Sequence, residues 1–138
     1  MGQLSRSAAS LGFYGDDLDP DEITARLGAT PTFGVGKGGT WVTSRGVEKV
    51  AVTGSWRLEA DDRQPGDLDG QITALFAPLT TDLATWRELA ARHRGRIFCG
   101  LFLDSFNEGL SLGPEATASL GDRGLVLGLD IYAPVEPD

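Results

Sequence analysis

The chain has 138 residues and a formal net charge of −8 at pH 7, with a pI near 4.5. This length fits one domain that buries a sizeable core without a disulfide or a structural metal. The acidic chain, with Lys37 and Lys49 as its two lysines, lacks the clustered positive charge that nucleic acid or an anionic membrane surface requires. No apolar run reaches the roughly 18 residues of a transmembrane span, and no signal peptide is visible. The single cysteine, Cys99, indicates a reducing compartment, so we expect a cytoplasmic protein.

The first half of the chain predicts strands around one short helix. Residues 1–7 are small and polar, and we expect a disordered N-terminus there. A strand is predicted over 8–14, followed by a helix that begins at Pro20 after the N-cap Asp19 and ends at Gly28. The next three segments are a glycine-rich loop, a brief strand and a longer alternating strand, at 29–40, 40–44 and 50–59.

The second half predicts more helix. Helical spacing favours helices over 68–77 and 82–93, because Pro78 interrupts the pattern, and the second helix would be capped by Thr80 or Thr81. The remaining elements are a central strand over 96–104 that is apolar on both faces and a short strand over 109–112. A helix over 114–121 that opens at Pro114 and a last long strand over 124–132 follow.

Together these elements predict a single α+β domain over residues 8–134, with 135–138 as a C-terminal tail. The strands suit a mostly antiparallel sheet of about six strands. Three to four helices are expected mainly on one face of that sheet.

Four stretches resemble a known family. They are LGFYGDDLDPDEITARLG at 11–28, TGSW at 53–56, GLFLDSFNEG at 100–109 with LSLGPE after it, and LDIYAP at 129–134. In this order and spacing they resemble the bacterial domain of unknown function number 4279, over nearly the whole chain. The resemblance implies a small cytoplasmic α+β domain and supplies no activity, cofactor or catalytic residue. Some domains of this kind lie near bacterial toxin systems, which implies an immunity role by association. The glycine-rich loop 34–39 departs from the charge expected there.

Motifs of catalysis have simpler explanations in local structure. Residues 109–113 (GLSLG) match the nucleophile-elbow pattern around Ser111, but the elbow needs a histidine later in the chain. The single histidine, His93, comes earlier, and we interpret it as an exposed helix end. Asp104 and Glu108 follow the central strand and are either turn caps, which we favour, or catalytic carboxylates. We therefore predict no catalytic residue.

Cofactor and metal motifs are also incomplete. Glycines at 34–39 imitate a dinucleotide fingerprint, but no convincing strand precedes them and no helix follows. Asp17, Asp19 and Asp21 have the spacing of a calcium loop without its glycine, and Pro20 favours a helix start instead. One cysteine and one histidine cannot fill a structural zinc site. We predict no metal site and no cofactor.

Glycines inside predicted strands are the remaining signal. Gly12, Gly100 and Gly128 each interrupt a strand, which is unfavourable unless something approaches the backbone closely. Period-two alternation places them on one sheet face with aromatic residues. Either the rings lie over the glycines, with 29–49 as a lid, or the face is a shallow groove. The candidate binding residues are Tyr14, Phe98, Gly100, Phe102, Asp104, Asp130 and Tyr132.

The opposite face of the same strands is aliphatic and includes Leu127, Leu129 and Ile131. We expect the helices to cover it.

Two functions are compatible with these features. The first is a non-catalytic intracellular binding or regulatory module whose partner is an unknown protein; an acidic toxin-immunity protein that blocks a basic partner is its most concrete form. The alternative is a small-molecule-binding domain or minor enzyme that uses the groove. Salt dependence separates them, because charge-steered association slows as ionic strength rises.

Overall fold

The computed structural model describes residues 2–135, which fold into nine strands and four helices. The strands are β1 (Gly2–Gln3), β2 (Arg6–Gly15), β3 (Phe33–Val35), β4 (Thr40–Val42), β5 (Glu48–Val50), β6 (Gly54–Glu59), β7 (Arg96–Phe102), β8 (Glu108–Gly109) and β9 (Val126–Tyr132). The helices are α1 (Pro20–Leu27), α2 (Leu68–Phe76), α3 (Leu83–Arg92) and α4 (Pro114–Asp122). The predicted α+β class is confirmed.

In the described part of the chain, five strands form the main sheet in the order β3-β6-β2-β7-β9. The first three pairings are antiparallel, whereas β9 runs parallel to β7 and forms one edge. The sheet is therefore mixed but mostly antiparallel, as predicted, with five strands where about six were expected; β8 and α4 carry the chain back before β9 begins. The remaining strands form two small pairs, β1 with β8 and β4 with β5.

Helix ends follow side-chain chemistry. Asp19 caps α1 by accepting a hydrogen bond from the Asp21 amide at 3.0 Å, and Gly28 ends the helix with φ at 92°, as predicted. The predicted threonine cap of α3 is wrong. Asp82 is the N-cap, and its carboxylate accepts from the Ala84 amide at 3.1 Å. Thr80 lies before the cap, and its hydroxyl oxygen accepts a hydrogen bond from the Asp82 amide.

The prediction of a disordered start at 1–7 does not hold for residues 2–7. Gly2–Gln3 pairs with β8, and β2 begins at Arg6. Leu4 is only 1% exposed, so its side chain belongs to the core. A two-residue strand has no periodicity to reveal it in the sequence. Residue 1 and residues 136–138 of the predicted tail lie outside the described residues.

The long strand predicted over 50–59 is two elements. β5 ends at Val50, and β6 begins only at Gly54. Residues 51–53 turn between them, and Val52 is exposed there. The alternation of apolar and polar residues continues through this turn, which is why the sequence indicated one strand.

The core lies between the helices and one face of the sheet. The rings of Trp56 and Trp86 lie on either side of Phe13, with centroids 6.0 and 6.3 Å from it. All three side chains are fully buried. α1 packs against β6, both α2 and α3 pack against β2, and α4 packs against β9.

The helices leave the aliphatic side chains of β9 exposed, which corrects the expectation for these residues. Leu127, Leu129 and Ile131 lie on the helix side of the sheet, in register with buried positions of β7, yet they are exposed. β9 is the outermost strand, and although α4 packs against it, these three side chains remain uncovered. Within residues 2–135, no helix is long and apolar enough to cross a membrane.

Candidate functional site

The open face is the side of the main sheet that faces away from the helices. Its first row runs from Arg6 on β2 through Phe102 on β7 to Tyr132 on β9. The rings of Phe102 and Tyr132 are parallel within 4°, with centroids 4.7 Å apart. The Arg6 guanidinium lies 3.8 Å from the Phe102 centroid. Phe102 is therefore held between a cation and a stacked ring.

The second cation of the open face is Arg96, on β7. Arg96 extends over the Phe98 ring, with 4.8 Å between guanidinium carbon and centroid. Its Nη2 also occupies the space that a Cβ at Gly128 would fill. Gly128 is therefore required for the close approach of Arg96 across the strand pair.

Rings lie over the other two glycines of this face. A Cβ at Gly12 would lie 2.6 Å from the Tyr14 hydroxyl oxygen. A Cβ at Gly100 would lie 3.1 Å from Cε2 of Phe102. In each case the ring belongs to the residue two positions later on the same strand, which period-two alternation requires.

The Gly100 depression is a shallow hollow of about 240 Å³ on the open face. Its floor consists of the small residues Ala8, Ser10 and Gly100. Its walls are the rings of Phe98, Phe102 and Tyr132, and its rim carries Glu59 and Asp62. The structure thus brings together four of the residues predicted from the sequence.

Asp130 borders the Gly100 depression without lining it. It is the cross-strand neighbour of Gly100, and its Oδ2 accepts a hydrogen bond from the Tyr132 hydroxyl at 2.7 Å. That hydrogen bond and the negative charge of Asp130 raise the pKa of Tyr132. The phenol therefore remains protonated and serves as a donor.

Tyr14 lies apart from this group. It lines a second hollow of about 540 Å³, the Tyr14 cleft, between the open face and the β4–β5 hairpin. Trp41 of the hairpin packs edge-on against Phe33, with centroids 5.3 Å apart, and Arg57 completes the lining. The predicted lid at 29–49 therefore borders the Tyr14 cleft rather than the Gly100 depression.

Asp104 lies beyond the end of β7, in a third hollow of about 760 Å³ that shares Phe102 and Tyr132 with the Gly100 depression. The turn that follows is held by Glu108, whose carboxylate accepts from Ser5 and from the amides of Asp104 and Ser105. Partial desolvation would raise the pKa of Glu108, but these hydrogen bonds outweigh it and lower that pKa. Glu108 is therefore an ionised turn cap.

His93 is buried, not exposed as the sequence indicated. Its side chain is 1% exposed, because the end of α3 tucks beneath β2 near Gly15. Its Nε2 accepts a hydrogen bond from Nε of Arg92 at 2.9 Å. Burial, and then the charge of Arg92, lower the pKa of His93, so the ring is neutral at pH 7.

Other reactive groups are withdrawn or isolated. Cys99 is fully buried, and burial raises its pKa to about 11, so the thiol is a poor nucleophile. Ser111 lies in an exposed loop after β8 rather than on a strand-to-helix elbow. Among residues 2–135, His, Cys, Asp and Glu side chains do not gather in threes as metal ligands do.

Sequence reasoning missed the cations of the open face. Arg6 stacks on Phe102 of the neighbouring strand, a pairing that depends on register, whereas Arg96 stacks on Phe98 of its own strand β7. The signal in the sequence was weak, since an arginine at a strand end looks like an ordinary solvent-facing residue.

Comparison with known proteins adds a family. The family model described as "Domain of unknown function (DUF4279)" matches residues 4–134. The chain belongs to this family. A search of curated proteins and a search of solved structures found no match. The resemblance stated from the sequence motifs is therefore confirmed, and the family description assigns no activity.

Proposed function

We propose that this member of the DUF4279 family is a non-catalytic binding module and that the Gly100 depression receives an apolar side chain of a protein partner. The observation that carries this proposal is the contrast between the small and the aromatic residues that line the Gly100 depression. Three small residues form its floor, and three aromatic rings stand around them. An anchor side chain that enters such a hollow loses water and gains contact on several sides, as binding hot spots do.

The polar groups around the depression support binding rather than catalysis. Asp62 at the rim forms an ion pair with Arg6 at 3.3 Å. Glu59 forms one with Arg57 at 3.1 Å. These carboxylates are paired within the chain, so their arrangement suits a polar rim around an apolar centre.

A more specific form of the proposal is a cytoplasmic, acidic immunity-type protein that blocks a basic toxin. It is supported by the net charge of −8 and, for a reducing compartment, by the single free cysteine. An acidic surface speeds encounter with a basic target, and added salt slows that encounter.

Affinity capture tests the proposal with matched baits. Gly100→Val fills the floor of the depression, whereas Gly121→Ala, in α4, adds a Cβ with no neighbour within 4 Å. We expect the wild type and Gly121→Ala to retain the same protein from a lysate of the source organism, and Gly100→Val to lose it. Equal retention by all three baits would contradict the proposal.

The Tyr14 cleft supports a second candidate, the binding of a small molecule. Its volume of about 540 Å³ falls within the usual range of ligand pockets, roughly 300–1,000 Å³. Aromatic side chains and Arg57 supply both apolar contact and a charge. Ligand-induced shifts in melting temperature, compared between wild type and Trp41→Ala, test it. Shifts that persist in Trp41→Ala would contradict binding in this cleft.

A further inference from the structure

β9 has an unusual combination of features for an edge strand. It is seven residues long, and within residues 2–135 no strand pairs with its outer side. Val126 is 65% exposed, Leu129 51% and Ile131 60%. Edge strands are normally protected by charges, proline, bulges or short length. β9 has one charged residue, Asp130, and besides Tyr132 its other residues are aliphatic or glycine.

We propose that β9 pairs with β9 of a second copy of this chain, antiparallel and about a two-fold axis at Leu129. The pairing would join two five-stranded sheets into one continuous sheet across an interface that presents the same surface from each copy. This inference does not depend on the binding function proposed for the Gly100 depression.

Backbone hydrogen bonds restrict the register. The Val126 amide donates to the Gly95 carbonyl, and the Tyr132 carbonyl accepts from the Leu103 amide. Because bonding alternates along a parallel strand, even-numbered residues of β9 bond to β7, and Leu127, Leu129 and Ile131 present their amides and carbonyls outwards. An antiparallel partner must therefore place its own odd-numbered residues opposite these three.

A two-fold axis at Leu129 satisfies that condition and pairs the whole strand. Leu129 then lies opposite the partner's Leu129, and Leu127 lies opposite the partner's Ile131. On the helix side of the sheet, the three exposed aliphatic residues of each copy would form one apolar strip. Shifting the axis by one residue to Gly128 or Asp130 leaves two residues of each strand without a counterpart.

Charge favours the same register. With the axis at Leu129, the partner's Asp130 lies opposite Gly128, over which the Arg96 guanidinium already extends. Among residues 2–135, Arg96 Nε has no hydrogen-bond partner, and Asp130 accepts at Oδ2 alone. The symmetric arrangement would place an arginine beside a carboxylate at two equivalent points. With the axis at Asp130, the two carboxylates would instead face each other and repel.

Sedimentation equilibrium across a range of concentrations tests the proposal. We expect the wild type to have the mass of two chains and Leu129→Lys to dissociate about tenfold or more readily, because two lysines would face each other. Val52→Lys is the matched control, since Val52 is also exposed and apolar but lies in the turn before β6. It should associate as the wild type does.

A charge exchange tests the register itself. Asp130→Arg and Arg96→Asp should each weaken the dimer, and the double variant should restore it, because the opposite charges would again lie side by side. Circular dichroism establishes that each variant folds. A wild type that stays monomeric up to about 1 mM would overturn the proposal and leave the edge to a strand of another protein. A dimer unaffected by both Leu129→Lys and Asp130→Arg would overturn it too.

Discussion

The phenol ring of Tyr132 lies parallel to the phenyl ring of Phe102 at 4.7 Å, and this stack fastens the edge strand β9 to β7 on the open face. Arg6 covers the other side of Phe102 from β2. One row of side chains therefore links three strands on the face of the sheet that the helices of residues 2–135 do not cover. Phe102 and Tyr132 of this row also line the Gly100 depression.

A double-mutant cycle measures this stack. Phe102→Leu and Tyr132→Leu each keep an apolar side chain but lose the ring contact. We expect a coupling free energy of about 0.5–1.5 kcal/mol between them, the usual range for aromatic pairs. Urea unfolding of the four proteins provides it. Additive losses would show that the two rings stabilise the fold independently.

The N-cap of α1 makes a second prediction. Asp19→Ala removes the acceptor of the Asp21 amide and should lower the free energy of unfolding by about 1 kcal/mol. Asp17→Ala is the control, because Asp17 is an exposed aspartate of the same loop outside the helix cap. If both variants lose the same stability, the capping role is wrong.

How much could be predicted from sequence is clear at α1. Asp19, Pro20 and Gly28 act locally, through a cap, a fixed φ and a left-handed turn, so each reports its role within a few residues. The interior strand β7 was equally readable from its two apolar faces.

Long-range features escaped the sequence. β1 exists because Leu4 enters the core and β8 lies alongside, which no local pattern records. His93 is buried because α3 ends beneath β2, although its arginine neighbours suggested solvent. For the candidate site, Gly100 and the rings beside it on β7 followed from alternation. Tyr14 lies in a different hollow from Gly100 because of the order of the strands in the sheet, and alternation along one strand does not reveal that order.

The buried histidine predicts a pH dependence. Burial, then the charge of Arg92, lower the pKa of His93 below its ordinary 6.5, despite the opposing charges of Glu22, Glu88 and Asp17. The unfolded chain therefore takes up the proton first. The contribution of neutral His93 to the stability of the folded protein is therefore full above about pH 6.5, and it falls as the pH drops towards the folded-state pKa.

His93→Gln removes this titration. Denaturant unfolding between about pH 5 and 7 should show a smaller loss of stability on acidification in the variant than in the wild type. Carboxylates far from position 93 titrate alike in both proteins, so the difference reports His93 together with its influence on the pKa of Glu22. Identical pH profiles would mean that the pKa of His93 is the same in the folded and the unfolded chain.

The burial of Cys99 predicts that its thiol reacts slowly with disulfide reagents in the folded protein. Because Cys99 is fully buried and its pKa is raised to about 11, a disulfide reagent at pH 8 should label the native protein far more slowly than the urea-unfolded chain. Absorbance of the released thiolate follows both reactions. Rapid native labelling would contradict the burial of Cys99 in the core between the sheet and the helices.

The most direct test of the binding account compares the affinity of the captured partner with the melting temperature for Gly100→Val, wild type and Gly121→Ala. A valine at position 100 would press on the Phe102 ring, which Arg6 and Tyr132 hold between them on the open face. The account predicts that affinity falls about tenfold or more, while overpacking costs no more than about 1–3 kcal/mol of stability and the protein stays folded. A folded Gly100→Val that binds as tightly as the wild type would contradict the account.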